Sequence, residues 1–342
     1  MKRRTWVALA VVTGSILIVG AFLHLHSEAL HGHFSALHHG AGMHATGPAA
    51  ELLGGAGGDP AVNARAREGV AEIGRRWDED AFARTVALYT EVHRGIDWPG
   101  VLAPETFQYG SDARQTLELY RPEQEFGEPG PVFLFLHGNG LGNADRVVPG
   151  SDGLIYSHLG KLAATAGGIG VSMGYRIGAG KVGVAALESG AEDLRLVIEW
   201  IATKIGAYGG DPNTIVIVAN SEGATVAAGY LFNEQWQTKA GHGVAAAILS
   251  SGMFGALAPE IEPLIFNYAG KPVPLALWSA EYDVAGVTAG IADLHEILCR
   301  KYYGCPWYEQ INGHNHVSQL MSLGTADTDV MNRFIRFYHT VR

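Results

Sequence analysis

The chain has 342 residues, hydrophobic side chains at 47% of its positions and a formal net charge of −10. This hydrophobic content is sufficient for a large buried core and excludes a wholly disordered chain. Binding of nucleic acid needs clustered Lys and Arg, which a diffuse acidic balance does not provide, so we expect no nucleic acid partner.

The N-terminal residues predict an export signal. A basic segment at residues 2–4 precedes an apolar run at residues 6–23, which as a helix would extend over roughly 27 Å. Ser27 and Ala29 supply the small side chains that a signal peptidase accepts at positions −3 and −1. We predict that residues 1–29 are a signal peptide or, alternatively, a membrane anchor through residues 6–23. In both cases the protein is expected outside the cytoplasm, as a periplasmic, extracellular or membrane-anchored protein.

A segment rich in histidine, glycine and alanine follows at residues 30–60. The histidines between His24 and His44 have no accompanying cysteine or carboxylate in a ligand spacing. We therefore interpret the segment as a flexible linker, with metal binding as the alternative. Residues 61–342 are predicted to form one catalytic domain.

Strands and helices alternate beyond the linker. A helical pattern at 61–92 repeats apolar residues every three or four positions, and the strand at 132–136 is a continuous apolar run. Such runs are typical of parallel strands that helices cover on both faces. The pattern predicts the α/β class, with a mostly parallel sheet flanked by helices and its chemistry at the carboxyl ends of the strands. Further strands are predicted at 116–120, 168–175, 214–218, 245–249, 274–279 and 307–311, and further helices at 158–165, 191–205, 223–232, 291–301 and 329–339.

The loop after the strand at 214–218 predicts a nucleophile. The segment Ala219-Asn220-Ser221-Glu222-Gly223 leads directly into a helix. It has the form of a G-x-S-x-G nucleophile elbow, with Ala219 in place of the first glycine. Small residues are needed two positions before and after the serine because larger side chains would collide with the neighbouring backbone. We predict Ser221 as the nucleophile, and a serine that merely begins a helix is the alternative.

A turn of small residues follows the strand at 132–136 and reads His137-Gly138-Asn139-Gly140. Turn-prone residues allow backbone N–H groups to point at one position, as an oxyanion hole requires. We predict the amides of Asn139, Gly140 and Glu222 as the donors to the oxyanion. An ordinary glycine-rich turn is the alternative.

Two later loops supply an acid and a base for a triad. Glu281 and Asp283 follow the strand at 274–279, and Asp283 is preferred because it stands further beyond the strand end. His314 and His316 follow the strand at 307–311. His316 is preferred as the general base, with His314 as the alternative.

The two cysteines, Cys299 and Cys305, are six positions apart and form no C-x-x-C motif. No second pair is available for a tetrahedral zinc site, and we expect no metal. A local disulfide and two free thiols both remain open.

The motifs together resemble a known family over the region from Thr106 to the C-terminus. That family is the carboxylesterase-like α/β-hydrolases, which includes hormone-sensitive-lipase-like and feruloyl-esterase-like enzymes. The resemblance implies Ser221 as nucleophile, Asp283 as acid and His316 as base, acting on small to medium acyl esters without a cofactor. The motifs that carry it are Gln108-Tyr109-Gly110, the H-G-N-G turn, Tyr175-Arg176, Gly209-Gly210-Asp211-Pro212-Asn213, Ala280-Glu281-Tyr282-Asp283 and Gly313-His314-Asn315-His316-Val317-Ser318.

A serine esterase with a small-molecule ester as its partner is therefore the expected function. Two alternatives are hydrolysis of amides or formamides by the same triad and a non-catalytic binding protein of the hydrolase fold. A panel of acyl and amide substrates distinguishes ester hydrolysis from amide hydrolysis. Labelling by a fluorophosphonate distinguishes an active serine hydrolase from a binding protein.

Overall fold

The computed structural model describes residues 57–124, 127–138, 146–177, 183–255, 257–302 and 304–341. The predicted signal peptide and the linker as far as residue 56 lie outside these ranges, so the export signal and the domain limits stay predictions. Within the described ranges, no helix combines the length and the apolar character needed to cross a membrane.

The described residues form an eight-stranded sheet at the centre of the fold. The strands are β1 (Glu105–Gln108), β2 (Thr116–Tyr120), β3 (Gly130–Leu136), β4 (Ile169–Met173), β5 (Gly210–Asn220), β6 (Ala246–Ser250), β7 (Leu275–Tyr282) and β8 (Trp307–Asn315). They lie in the order β1-β2-β4-β3-β5-β6-β7-β8. β2 is antiparallel to both of its neighbours, and all pairs from β4 to β8 are parallel. The prediction of a mostly parallel sheet is confirmed.

Helices cover both faces of this sheet. They are α1 (Pro60–Ile73), α2 (Glu79–Arg94), α3 (Ser157–Thr165), α4 (Glu188–Lys204), α5 (Glu222–Phe232), α6 (Ala258–Asn267), α7 (Val287–Tyr302), α8 (Ser318–Met321) and α9 (Thr328–Val341). Val132 and Leu134 of β3 belong to a buried hydrophobic cluster that also includes residues of α4, α5, α6 and α7. Phe133 and Phe135 point to the opposite face, where they pack with residues of α3 and α9. Because both faces of the central strands are covered, reactive groups are confined to the strand ends.

The helical pattern at 61–92 is divided in the structure into α1 and α2. Gly74 ends α1 with φ at +60°, a conformation that favours glycine. Asp78 then begins α2 by accepting a hydrogen bond from the amide of Ala81. Trp77 therefore lies in the turn between the two helices and not on a continuous helical stripe. α1 packs on β8, and α2 packs on α8.

Three elements are absent from the sequence prediction, and one of them is the four-residue helix α8. β1 has four residues, which is too short a stretch to show a clear alternation. α6 contains Pro259 and Pro263, and proline discourages a helix prediction although the first turn tolerates it. β8 also continues beyond its predicted end at residue 311 to Asn315, so that His314 lies in a strand.

Candidate active site

Ser221 lies at a sharp turn between the end of β5 and the start of α5. Its φ of +56° and ψ of −124° are an uncommon combination for a residue with a side chain. A Cβ atom on Gly223 would lie 2.5 Å from the carbonyl oxygen of His137 and 2.6 Å from that of Leu136, so this position requires glycine. Ala219 is fully buried. The turn therefore holds the serine away from the sheet, where its hydroxyl can meet other loops.

The imidazole of His316 lies between Ser221 and Asp283. Its Nδ1 is 2.6 Å from Oδ1 of Asp283. Because a carboxylate accepts hydrogen bonds, Nδ1 carries the proton, and Nε2 is left to accept from the hydroxyl of Ser221 at 2.8 Å. The structure thus brings together three residues that the sequence singles out, in a chain from hydroxyl to imidazole to carboxylate.

The carboxylate of Asp283 is fully buried and accepts three further hydrogen bonds. The hydroxyl of Ser251 donates to Oδ2 at 2.6 Å, the amide of Ala280 donates to Oδ2 at 3.0 Å, and the amide of Val284 donates to Oδ1 at 3.0 Å. The side-chain amide of Gln319 donates to the Ser251 hydroxyl. Such donors stabilise a buried carboxylate in its ionised form and fix its orientation.

The turn after β3 approaches the nucleophile. A Cβ atom on Gly138 would lie 2.8 Å from Cβ of Ser221. Burial raises the pKa of Tyr175, and its hydroxyl donates to the carbonyl oxygen of His137 at 2.6 Å while the two rings stack. Tyr175 therefore fixes the backbone at the start of the turn. The turn's next two residues, Asn139 and Gly140, lie outside the described residues.

The third residue predicted for the oxyanion hole, Glu222, is the first residue of α5. Backbone amides in the first turn of a helix point toward the helix N-terminus, where anions bind. The role of Glu222, Asn139 and Gly140 as oxyanion donors stays a prediction.

His314, the alternative base, is fully buried and away from Ser221 in a second network. Its Nε2 is 3.0 Å from Oδ2 of Asp327, and that oxygen also accepts from Arg67 at 2.8 Å. Burial alone would raise the pKa of Asp327, but the hydrogen bond from His314 and the nearby positive charges lower that pKa to about 2. The alternative acid, Glu281, accepts a hydrogen bond from the amide of Gly313 at 2.7 Å.

Sequence reasoning did not single out Ser251 or Asn220. Both lie at the carboxyl ends of strands, Ser251 directly after β6 and Asn220 as the last residue of β5. The same rule that points to Asp283 and His316 therefore also applies to them. Trp77 is one of the apolar residues of the pattern at 61–92, and the structure places its ring against that of His316.

The two cysteines form a disulfide bond. Together with His295, they are the one group of metal-ligating side chains found among the described residues, with donor atoms within 4.8 Å of one another. A disulfide removes both thiolates from coordination, so this cluster as it stands does not offer a metal site.

The model of the carboxylesterase family matches residues 101–260 of this chain. Ser221 lies within this range, whereas Asp283 and His316 lie beyond it. The predicted resemblance to carboxylesterases of the α/β-hydrolase fold is confirmed.

The sequence alignments with two relatives each cover about a third of this chain. Phenmedipham hydrolase of Pseudarthrobacter oxydans is 33% identical over 114 residues, which are 32% of this chain and 21% of that protein. Esterase B1 of Culex pipiens is 28% identical over 126 residues, which are 34% of this chain and 21% of that protein. The alignments thus span about a fifth of the length of these relatives.

Solved esterase structures superpose on a larger part of this chain than the sequence alignments cover. The hyperthermophilic esterase of the archaeon Pyrobaculum calidifontis superposes with a TM-score of 0.57 at 17% identity, covering 83% of this chain and 99% of that one. Esterase B of Lactobacillus rhamnosis superposes with a TM-score of 0.57 at 14% identity, covering 81% and 95%. At these identities the likeness shows the fold.

Proposed function

We propose that this protein hydrolyses carboxylic esters of small to medium acyl groups, with Ser221, His316 and Asp283 as its catalytic triad. The observation that carries the proposal is the continuous hydrogen-bond chain from the Ser221 hydroxyl through His316 to the buried Asp283. A nucleophile, a base within hydrogen-bond distance and a group that orients the base are the parts that acyl transfer requires. The esterase-like fold and the family match at 101–260 support the same reaction.

In the first half of the reaction, Oγ of Ser221 forms a bond to the carbonyl carbon of the ester while Nε2 of His316 takes the hydroxyl proton. The resulting tetrahedral intermediate carries a negative charge on the former carbonyl oxygen. When it collapses, the bond to the alcohol oxygen breaks and His316 returns its proton to that oxygen. The products are the free alcohol and an acyl ester of Ser221.

In the second half, a water molecule attacks the acyl carbon while His316 takes one of its protons. The bond to Ser221 then breaks, Oγ recovers the proton from His316, and the carboxylic acid leaves. Asp283 stays ionised throughout and stabilises the imidazolium that forms in each half. The three backbone and hydroxyl donors around Asp283 support that role.

The proposed oxyanion hole consists of the backbone amides of Asn139, Gly140 and Glu222. Its support is the position of Glu222 at the first turn of α5, directly after the nucleophile. A second support is the close approach of Gly138, which directly precedes Asn139 in the sequence, to Ser221. Loss of one such donor typically costs on the order of 100-fold to 1,000-fold in kcat.

We also propose that the protein acts outside the cytoplasm. The apolar run at 6–23 after a basic segment supports this location. The Cys299–Cys305 disulfide is a second support, since disulfides persist in oxidising compartments. Fractionation of the producing cells with an antibody to the folded domain tests the location, and recovery of the protein in the cytoplasm would refute it.

The catalytic assignment is tested with the variants Ser221→Ala and His316→Asn. The wild type should hydrolyse p-nitrophenyl esters and be labelled by a fluorophosphonate at Ser221, and both variants should lose nearly all turnover while remaining folded. The control is Ser279→Ala, because Ser279 is a buried serine whose hydroxyl has no partner among the described residues. Full activity of Ser221→Ala would refute the triad, and an unlabelled, inactive wild type would favour a binding protein.

The reaction class is tested with matched substrates. Ethyl esters of increasing acyl length are compared with amides and formamides of the same acyl groups. We expect the highest kcat/KM for the esters with small to medium acyl groups. If the amides or formamides are hydrolysed faster than the esters, the proposed activity is wrong and the protein is an amide hydrolase that uses the same triad.

A further inference from the structure

The indole of Trp77 packs against the imidazole of His316. Their ring centroids are 4.6 Å apart and the ring planes meet at 69°. Trp77 is half-buried, so part of the indole remains accessible beside a histidine that is itself buried. We propose that Trp77 is a specificity-determining residue that forms the wall of the site for the alcohol portion of the ester and selects apolar, aromatic alcohols. This inference rests on the proposed esterase function.

The chemistry of the leaving group gives Trp77 this role. His316 returns its proton to the alcohol oxygen, so that oxygen comes within hydrogen-bond distance of Nε2. Both nitrogens of His316 are engaged, Nδ1 by Asp283 and Nε2 by Ser221 or the leaving oxygen. The indole packs against the same imidazole, with ring centroids 4.6 Å apart. We place the carbon atoms attached to the leaving oxygen, which lies at Nε2 of that ring, against the indole.

An aromatic surface at this point favours particular alcohols. The indole offers a large, flat, apolar contact, and aromatic pairs gain more than the buried area alone provides. A methyl or ethyl group is too small to cover the indole, whereas a phenyl or benzyl group can pack against it. The acyl portion is attached to the carbonyl carbon opposite the leaving oxygen, so we expect a series of acyl lengths to be less sensitive to Trp77 than a series of alcohols.

Local contacts hold Trp77 in place. Its ring meets that of Phe82 edge to face at 5.8 Å. The turn that carries it is fixed at one end by Gly74, which ends α1, and at the other by Asp78, which begins α2. The indole is therefore part of a structured turn.

The two helices around this turn are in turn fixed to the segment that carries His316. From α1, Arg67 forms a 2.8 Å ion pair with the buried Asp327. From α2, the hydroxyl of Thr85 accepts a hydrogen bond from Asn315 at 2.8 Å, and His93 donates to the carbonyl oxygen of Met321 at 2.7 Å. Because these bonds lie on both sides of His316, they fix the distance between Trp77 and the imidazole. A wall held in this way can discriminate between substrates.

The test compares Trp77→Ala and Trp77→Phe with the wild type on two series of esters. One series keeps the acetyl group and varies the alcohol from methyl and ethyl to benzyl and phenyl. The other keeps the ethyl alcohol and varies the acyl length. For Trp77→Ala we expect kcat/KM for the aromatic alcohols to fall about five- to tenfold, mainly through KM, with less than about a twofold change for methyl and ethyl acetate. Trp77→Phe should retain much of the preference.

The matched control is Trp200→Ala, which removes a half-buried indole from α4, where it packs against Phe107 and Tyr208. It should leave the alcohol preference unchanged. An equal fall in kcat on every ester, with an altered pH profile, would overturn the inference and make Trp77 a positioning residue for His316. An unchanged alcohol preference would also overturn it.

The failure of this inference is distinguishable from failure of the proposed function. If the wild type is labelled at Ser221 by a fluorophosphonate and hydrolyses esters, the function stands and the alcohol series alone decides the role of Trp77. If the wild type neither hydrolyses esters nor is labelled, both proposals fall.

Discussion

The side-chain amide of Asn220 donates a hydrogen bond to the backbone carbonyl oxygen of His316 at 3.1 Å. Asn220 directly precedes Ser221, so this bond joins the backbone of the proposed base to the turn that carries the proposed nucleophile. The same amide nitrogen donates to the carbonyl oxygen of Ser250 at 3.2 Å, and the residue is fully buried. One side chain thus ties the ends of β5 and β6 to the segment after β8.

Replacing Asn220 with Ala should lower both stability and activity. The carbonyl oxygen of His316 loses this donor, while that of Ser250 keeps the hydrogen bond from the Ser221 amide. We expect the loss of the two buried hydrogen bonds to reduce the free energy of unfolding by about 2 kcal/mol. The distance between His316 and Ser221 is then less well fixed, and kcat should fall about tenfold or more. Denaturant unfolding and ester hydrolysis measure the two effects. The control is Asn213→Ala, an exposed asparagine of β5 whose side chain bonds to Asp211. Equal effects of the two substitutions would contradict the role of Asn220.

Replacing Ser251 with Ala should reduce turnover without weakening substrate binding. The change removes a 2.6 Å hydrogen bond to the Asp283 carboxylate and frees Gln319. Hydrogen bonds to charged groups contribute about 1.5–3 kcal/mol, so we expect kcat to fall roughly tenfold or more. KM should change little, because the acid of a triad does not touch the substrate. Ser279→Ala serves again as control, and a rise in KM at unchanged kcat would argue against the assignment of Asp283.

Replacing Gly138 with Ala should displace the nucleophile. The added methyl group would lie 2.8 Å from Cβ of Ser221 and 3.4 Å from its Oγ, so one of the two segments has to move. Misplacement of a reacting group by about 1 Å can cost on the order of 100-fold in rate, and we expect a loss of that size in kcat. The control is Gly206→Ala, where an added Cβ meets no atom within 4 Å. Full activity of the Gly138 variant would show that this turn does not border the reacting carbon.

Much of the fold could be predicted because its central strands are buried on both faces. Residues 132–136 and 215–219 are continuous apolar runs, and only a strand covered by helices needs such a run at that length. The ends of these strands then restrict where reactive groups can lie. That rule brings Ser221, Asp283 and His316 into consideration, although they are up to 95 positions apart.

The contacts around these residues could not be predicted in the same way. The hydrogen bond from Asn220 to His316 depends on where β5 and β8 end relative to each other along the strand direction. The sequence pattern determines strand ends only to within a few residues, so it could not predict this bond. β8 itself extends four residues further than the apolar pattern indicates, which places His314 in the strand and facing Asp327. The choice between His314 and His316 therefore depends on packing.

The position of Trp77 shows a second limit. An apolar residue in a helical pattern predicts a buried stripe, and Trp77 fits that pattern with Ile73 and Phe82. Gly74 interrupts the helix, and the indole then points toward His316. A single glycine within a helical pattern is tolerated often enough that it does not by itself predict a break.

Two buried histidines, His93 and His158, pack against each other with tilted rings whose centroids are 4.3 Å apart. Nε2 of His158 donates to the carbonyl oxygen of Leu320 at 3.0 Å, while its Nδ1 accepts from the amide of Tyr156 at 3.1 Å. This second bond exists only while the imidazole is neutral. Burial lowers the pKa of His93 to about 4, and burial together with the neighbouring His93 lowers the pKa of His158 well below 6.5.

The protein should therefore lose stability as the pH falls from about 6.5 toward 4. In that range the two histidines take up protons in the unfolded chain but not in the folded protein, so protons favour unfolding. Each such group lowers the free energy of unfolding by about 1.4 kcal/mol per pH unit. Denaturant unfolding between pH 7.5 and 4.5 measures the slope. His158→Gln keeps an amide donor for Leu320 and removes one titrating group, so its slope should be smaller, whereas replacement of the exposed His339 with Gln should leave the slope unchanged. A stability that stays constant across this range would show that His93 and His158 take up protons in the folded protein as readily as in the unfolded chain.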